Sequence, residues 1–236
     1  MKSPARAAAR HKGKRGHLIL EFGLVTIMFI PLIIGVFVTG INMVRSIQAN
    51  HIARDIADMY IHGSDFSSLG MQQVAKKLAT GLDLQVGSGT TGNNPNNVNN
   101  GGRGIVWITK LEYIGDTTSP SCIAAGGAAQ CTNASKFVVL EQIRFGNGTL
   151  EATKDTTAGH PTAARDSQGR VTVDVVKTSS AQVPGTYQTA LGALWQGTNP
   201  TSRTPLVDGQ VIYMAEVFFL HAGSFAGRGV YARWFF

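Results

Sequence analysis

From Leu24 to Ile41 the chain runs for 18 residues without a charge, and Thr26 and Thr39 are its only hydroxyl-bearing interruptions. A helix of that length extends about 27 Å at about 1.5 Å per residue, enough to cross most of a hydrocarbon core. The pattern therefore predicts a transmembrane helix over residues 17–44. Pro31 lacks an N–H, frees the Ile27 carbonyl and predicts a modest kink. Gly35 and Thr39, one turn apart, form a small-residue ridge on which another helix can pack. The apolar period then continues through Ile41, Val44, Ile47, Ile52, Ile56, Met59 and Tyr60, with Arg54, Asp55 and Asp58 elsewhere on the surface. The helix is thus expected to run on to Gly63, with its second half amphipathic. A further helix is predicted from Leu69 to Thr80, with Val74, Ala75, Leu78 and Ala79 on one face and Gly81 as its stop.

Beyond residue 83 the pattern changes from helical to strand-like. Ile105–Ile114, Lys136–Phe145, Val171–Val176, Gln210–His221 and Val230–Phe236 are rich in β-branched and aromatic residues. In the second of these, Phe137, Val139, Ile143 and Phe145 are expected on one face, with Glu141 as the exception. Gly146-Asn147-Gly148 supplies turn chemistry after it. Strands without helical crossovers favour an antiparallel sheet, whose apolar face the amphipathic end of the first helix can cover. The fold class is α+β: a long N-terminal transmembrane helix continuing into a head with an antiparallel sheet. Residues 45–82 are expected to be extracytoplasmic helices and residues 83–236 a β-rich head. Residues 87–104, GSGTTGNNPNNVNNGGRG, are expected to be a disordered loop. Gly87 to Gly92 match the dinucleotide-binding glycine pattern, but Asn93-Asn94-Pro95-Asn96-Asn97 cannot supply the helix that must follow.

The net charge of +7 does not point to nucleic acid. Lys2, Arg6, Arg10, Lys12, Lys14 and Arg15 all precede the span, and without them the remainder carries +1. Residues 1–16 are a basic leader, and positive charge before a first span holds that end in the cytoplasm. The body is then translocated: a single-pass protein of the bacterial cytoplasmic membrane with an extracytoplasmic C-terminal domain. A cleaved secretory signal would have a shorter apolar core and a small-residue site after it, and Val38-Thr39-Gly40 is a poor substitute for one.

Catalytic constellations are missing. His11, His17, His51, His62, His160 and His221 are scattered, and no serine sits in a G-x-S-x-G elbow. No enzymatic role, cofactor or metal is expected. Cys122 and Cys131, the only cysteines, lie in a Gly/Ala-rich loop, and in a translocated domain a disulfide is their expected state.

Glu21 is the single charge in the apolar run if that run is started at Leu18. A carboxylate in a membrane segment costs roughly 2.5–3.5 kcal/mol, less near the interface, so its presence calls for a reason. Lys14-Arg15-Gly16-His17-Leu18-Ile19-Leu20-Glu21-Phe22, with the apolar helix behind it, resembles the class III leader of type IV pilins and pseudopilins. With Pro31-Leu32-Ile33-Ile34-Gly35 and Ala53-Arg54-Asp55-Ile56-Ala57, residues 12–60 are similar to the start of the TadE/TadG-like family of tight-adherence pilus assembly proteins. Phe22 stands where the major pilins of this system carry tyrosine. The resemblance implies cleavage by a prepilin peptidase between Gly16 and His17. It also implies subunit assembly through Glu21 and Phe22, a pilin-like head, and partners among pilin-like subunits and platform proteins in the membrane. A rival from another class is a bitopic protein that keeps its leader and carries an extracytoplasmic binding or sensor domain.

Overall fold

The computed structural model describes residues 15–87, 92–196, 205–220 and 229–236. The chain divides into two compact units, Met1–Val44 and Arg45–Phe236. Helix α1 (Arg15–Ile61) is continuous through Pro31. It ends at the expected stop: Gly63 adopts φ 86°, Ser64 N–H donates to the Met59 carbonyl at 3.0 Å, and Gly63 N–H donates to the Tyr60 carbonyl at 3.1 Å. These two bonds form a Schellman stop, which needs a residue free to take positive φ. Helix α2 (Leu69–Leu78) is capped by Ser68, whose hydroxyl accepts from Met71 N–H.

The second unit is built on a five-stranded sheet in the order β1 (Asn96–Asn99), β3 (Lys136–Asn147), β2 (Gly104–Ile114), β4 (Gln210–Leu220) and β5 (Gly229–Phe235). The sheet is mixed, not the all-antiparallel sheet expected, because β1 pairs with β3 in parallel. The remaining pairings are antiparallel. The Asn-rich stretch that supplies β1 was expected to be loop. Amide side chains make the difference: Asn97 Nδ2 donates to Gln72 Oε1 at 2.6 Å, and Gln72 Nε2 donates to the Asn94 and Phe66 carbonyls at 2.9 Å each. Residues 88–91 of that stretch lie outside the described residues.

Gly146-Asn147-Gly148 does not turn the chain back. Strand β3 runs on through Asn147, and Gly146, at φ 114°, passes so close to β2 that a Cβ would lie 2.5 Å from the Gly104 carbonyl. Val171–Val176 forms no strand. Val171 N–H donates to the Leu140 carbonyl at 2.7 Å, after which Asp174 draws the chain into a turn by accepting from Val176 N–H at 3.0 Å. Two short helices went unsignalled, α3 (Pro120–Ala124) and α4 (Gly185–Gln196).

The sheet is covered on both faces. On one, Ala49, Ile52, Ala53, Ile56, Ala57 and Tyr60 of α1 pack with Val106, Ile108, Ile143, Phe145, Ala215, Val217 and Phe219. This is the cover expected for the amphipathic end of the helix. On the other, Ala158, Val183 and Leu191 pack on Leu111, Phe137, Val139, Ile212 and Met214, and Leu150 packs on Ile105, Trp107 and Phe218. The expected common face of Phe137, Val139, Ile143 and Phe145 is therefore split. Leu111 pairs with Val139 but Lys110 pairs with Glu141, so Leu140 is an inserted bulge residue. One extra residue in a period of two sends everything after it to the opposite face.

Candidate functional site

The first unit carries the residues that the leader pattern singled out. Gly16 and His17 fall in the first turn of α1. Glu21 is exposed, Phe22 is 73% exposed, and Glu21 makes no ion pair with any described residue. From Leu20 onward the helix is long and apolar enough to cross a membrane. Its polar interruptions are internally satisfied: Thr26 Oγ1 donates to the Phe22 carbonyl at 2.7 Å, and Thr39 Oγ1 to the Gly35 carbonyl at 2.8 Å. Such back-bonding lets a hydroxyl sit in hydrocarbon without an orphaned donor. Gly35 has nothing within 4 Å of where its Cβ would be, so the small-residue ridge is open.

In the second unit Cys122 and Cys131 form a disulfide, with Cα atoms 5.1 Å apart. Ser119 caps α3 beneath Cys122, and Gly127, at φ 89°, folds the loop back so that its N–H reaches the Cys122 carbonyl at 2.9 Å. Asp208, just before β4, ties the loop to the start of that strand, accepting from Gly115 N–H at 2.6 Å and Ser121 N–H at 2.9 Å.

Three polar clusters lie beyond what the sequence pattern signalled. Glu216 is fully buried in β4, on the face away from α1. Its carboxylate accepts from the hydroxyls of Thr156, Thr157 and Tyr231, and from Thr157 N–H at 3.0 Å. Burial, then the Glu216 charge and its hydrogen bond, push the Tyr231 hydroxyl far above its ordinary pKa, so Tyr231 remains a donor. Arg233 Nη1 reaches Thr157 Oγ1 at 3.1 Å. A carboxylate so saturated with donors is a clasp joining β4, β5 and residues 156–157, not a free acid.

A second cluster joins Glu151, Asp155, His160 and Tyr187. His160 Nε2 lies 2.8 Å from Asp155 Oδ1 and 3.9 Å from Glu151 Oε2, and Tyr187 donates to Asp155 Oδ2 at 2.8 Å. Among the described residues no group of three or more His, Cys, Asp or Glu is arranged to hold a metal ion.

A third cluster surrounds the end of α1. Tyr60, Asp65, Lys110, Glu141, Arg170 and Tyr213 line a shallow cavity of about 210 Å³. Burial raises the Glu141 pKa, outweighing the Tyr60 hydroxyl and the Arg170 guanidinium, whose Nε lies 3.7 Å away. Cations and carboxylates are balanced there, and Lys110 already occupies the Tyr213 face at 5.3 Å. The first and third clusters assemble residues far apart in the chain, such as Thr156 with Glu216, so no local spacing could have announced them; in the second only Tyr187 comes from a distance. No protein-family model, curated protein or solved structure matches the chain.

Proposed function

We propose that this chain is a membrane-anchored, pilin-like component of a tight-adherence pilus or related secretion assembly, matured by a prepilin peptidase. The observation that carries the reading is α1, one helix whose first part is apolar on every side and whose last turns are the cover of a β-sheet. Pilin-like subunits are built in this way, with one long helix half in the membrane and half packed on a globular head. The basic leader ending at Gly16, and Glu21 five residues after the proposed cut, add the processing signal. The disulfide agrees with a head that is translocated to an oxidising compartment.

On this reading Gly16 and Glu21 act at successive steps. A peptidase approaches the backbone at Gly16 because no Cβ obstructs it. Cleavage gives His17 a free α-amino group, which pairs with Glu21 of the same or a neighbouring subunit. A carboxylate in low dielectric is costly alone and tolerable when paired. Gly16→Val is therefore expected to accumulate the full-length chain, whereas Glu21→Gln is cut and fails to assemble. Immunoblotting for the 16-residue difference, N-terminal sequencing and an assay of piliation check this. If both variants behave like the parent and the mature chain keeps its leader, the function is instead that of an anchored binding or sensor domain.

A further inference from the structure

A cavity of about 240 Å³ opens beside β1 and β3, lined by Pro95, Asn96, Gln142, Arg144, Ala163 and Arg165. Its two guanidinium groups are treated differently. Arg144 is compensated: Nη1 lies 3.0 and 2.9 Å from the two oxygens of Glu151, and Nε donates to Asn96 Oδ1 at 2.5 Å. Arg165 has no acidic partner among the described residues. Its Nη2 donates to Gln142 Oε1 at 3.1 Å and to the Pro161 carbonyl at 2.9 Å, and its buried Nε has no acceptor. Gln142 is 3% exposed and is held by its own bond from Nε2 to the Gly159 carbonyl at 2.8 Å, so its carbonyl end is committed to Arg165.

We propose that this cavity binds an oxyanion, a carboxylate or a phosphate group, held between Arg165 and Arg144. A role for Arg165 as a strut between β3 and Pro161 uses only Nη2 and two neutral acceptors. That role requires no permanent charge beside a second guanidinium. Burial and the nearby Arg144 charge both act against the charged form of Arg165, and an anion would reverse the second and offset the first. Guanidinium is suited to this task, since its planar fork presents parallel donors to the paired oxygens of carboxylate or phosphate. Asn96 and Gln142 form neutral polar walls of the cavity. The inference is independent of the pilus reading, since it concerns only residues of the second unit.

Calorimetric titration of the full-length protein in detergent micelles, with inorganic phosphate and separately with succinate, tests it. Saturable binding at one site per chain is expected for at least one probe, and the probe that binds identifies the preferred oxyanion geometry. Arg165→Met is expected to weaken that binding by about tenfold or more, the loss of charged hydrogen bonds to the ligand. Asn96→Asp is the second variant. Asn96 is exposed, and aspartate keeps the acceptor for Arg144 Nε while placing a negative charge on the cavity wall. It should fold like the parent and bind the anion more weakly, and it decides the matter if Arg165→Met does not fold. Absence of saturable binding with both probes overturns the proposal. So does binding that Asn96→Asp leaves unchanged.

Discussion

Between Leu20 and Val44, α1 leaves Phe22, Leu24, Ile27, Met28 and Phe37 67–76% exposed, whereas Ala49, Ala53 and Ile56 of the same helix are completely buried. Leucine, isoleucine and phenylalanine dominate the first stretch all round, with no polar stripe to face water. A helix of that kind needs a non-aqueous surrounding, whether lipid or other protein. The second stretch is sparser in large apolar groups but arranges them. Ala49, Ala53 and Ala57 form one row at four-residue spacing, and Ile52, Ile56 and Tyr60 form the adjoining row. Both rows pack their side chains on the apolar face of the sheet. Fully burying each isoleucine contributes about 1.5–3 kcal/mol. Hydrophobic quantity thus marks the part of the helix whose solvent is not water, while hydrophobic arrangement marks the part that folds against its own chain.

The strongest way to break this comparison is to truncate one isoleucine in each stretch. Ile56→Ala is expected to destabilise the head by about 2–5 kcal/mol, through lost transfer energy and the cavity left behind. Ile33→Ala, in the exposed stretch, should shift it by no more than about 0.5 kcal/mol. Denaturant unfolding of the full-length protein in micelles, followed through the fluorescence of the fully buried Trp107, measures both. Equal effects would mean that the head does not distinguish the two stretches.

The disulfide, packed against Ile114 and Val138 on the same sheet face as α1, gives the next largest effect. Cys122 and Cys131 close a short loop, and replacing both by serine should cost the head on the order of 2–3 kcal/mol by loop-closure entropy. The check is the same unfolding curve. Thiol alkylation of protein isolated without reductant is a second, and it should label neither cysteine in the parent.

The smallest effect concerns pH and the cavity at the end of α1. Burial raises the folded-state pKa of Glu141, so the native chain holds that proton more tightly than the unfolded chain does. The stability cost of the buried carboxylate is present at neutral pH and is relieved as pH falls through the raised value toward the ordinary carboxylate range. Glu141→Gln should therefore be more stable relative to the parent at about pH 7 than at about pH 4. A stability difference that grows on acidification would place the dominant influence on Glu141 with Arg170 instead of with burial.

Local periodicity was enough to read the extents of α1, α2 and the long strands, because apolar spacing and the stops at Gly63 and Gly81 each act within one or two turns of the chain. The expected face of α2 was only half right: Ala75 and Ala79 are buried, but Val74 and Leu78 stay exposed and Gln72 is buried in their place, drawn in by its bonds to Asn97, Asn94 and Phe66. The cover of one sheet face by α1 was legible for the same reason. Pairing decided the rest. The sequence of β3 reads as one alternating strand, but the bulge at Leu140 exists only in register with Lys110 and Leu111 of β2, and it sends Phe137 and Ile143 to opposite faces. Asn97 looks like loop until Gln72 supplies its acceptor, and Val171–Val176 looks like strand until Asp174 takes its backbone donor. Glu216 with Thr157, and Arg165 beside Arg144, come together across tens of residues of chain. By itself the sequence determined where the chain needs water and where it cannot tolerate it, since that is a property of each segment. The tertiary structure alone decided which polar groups meet, because a hydrogen bond or an ion pair needs two partners whose separation along the chain carries no signal.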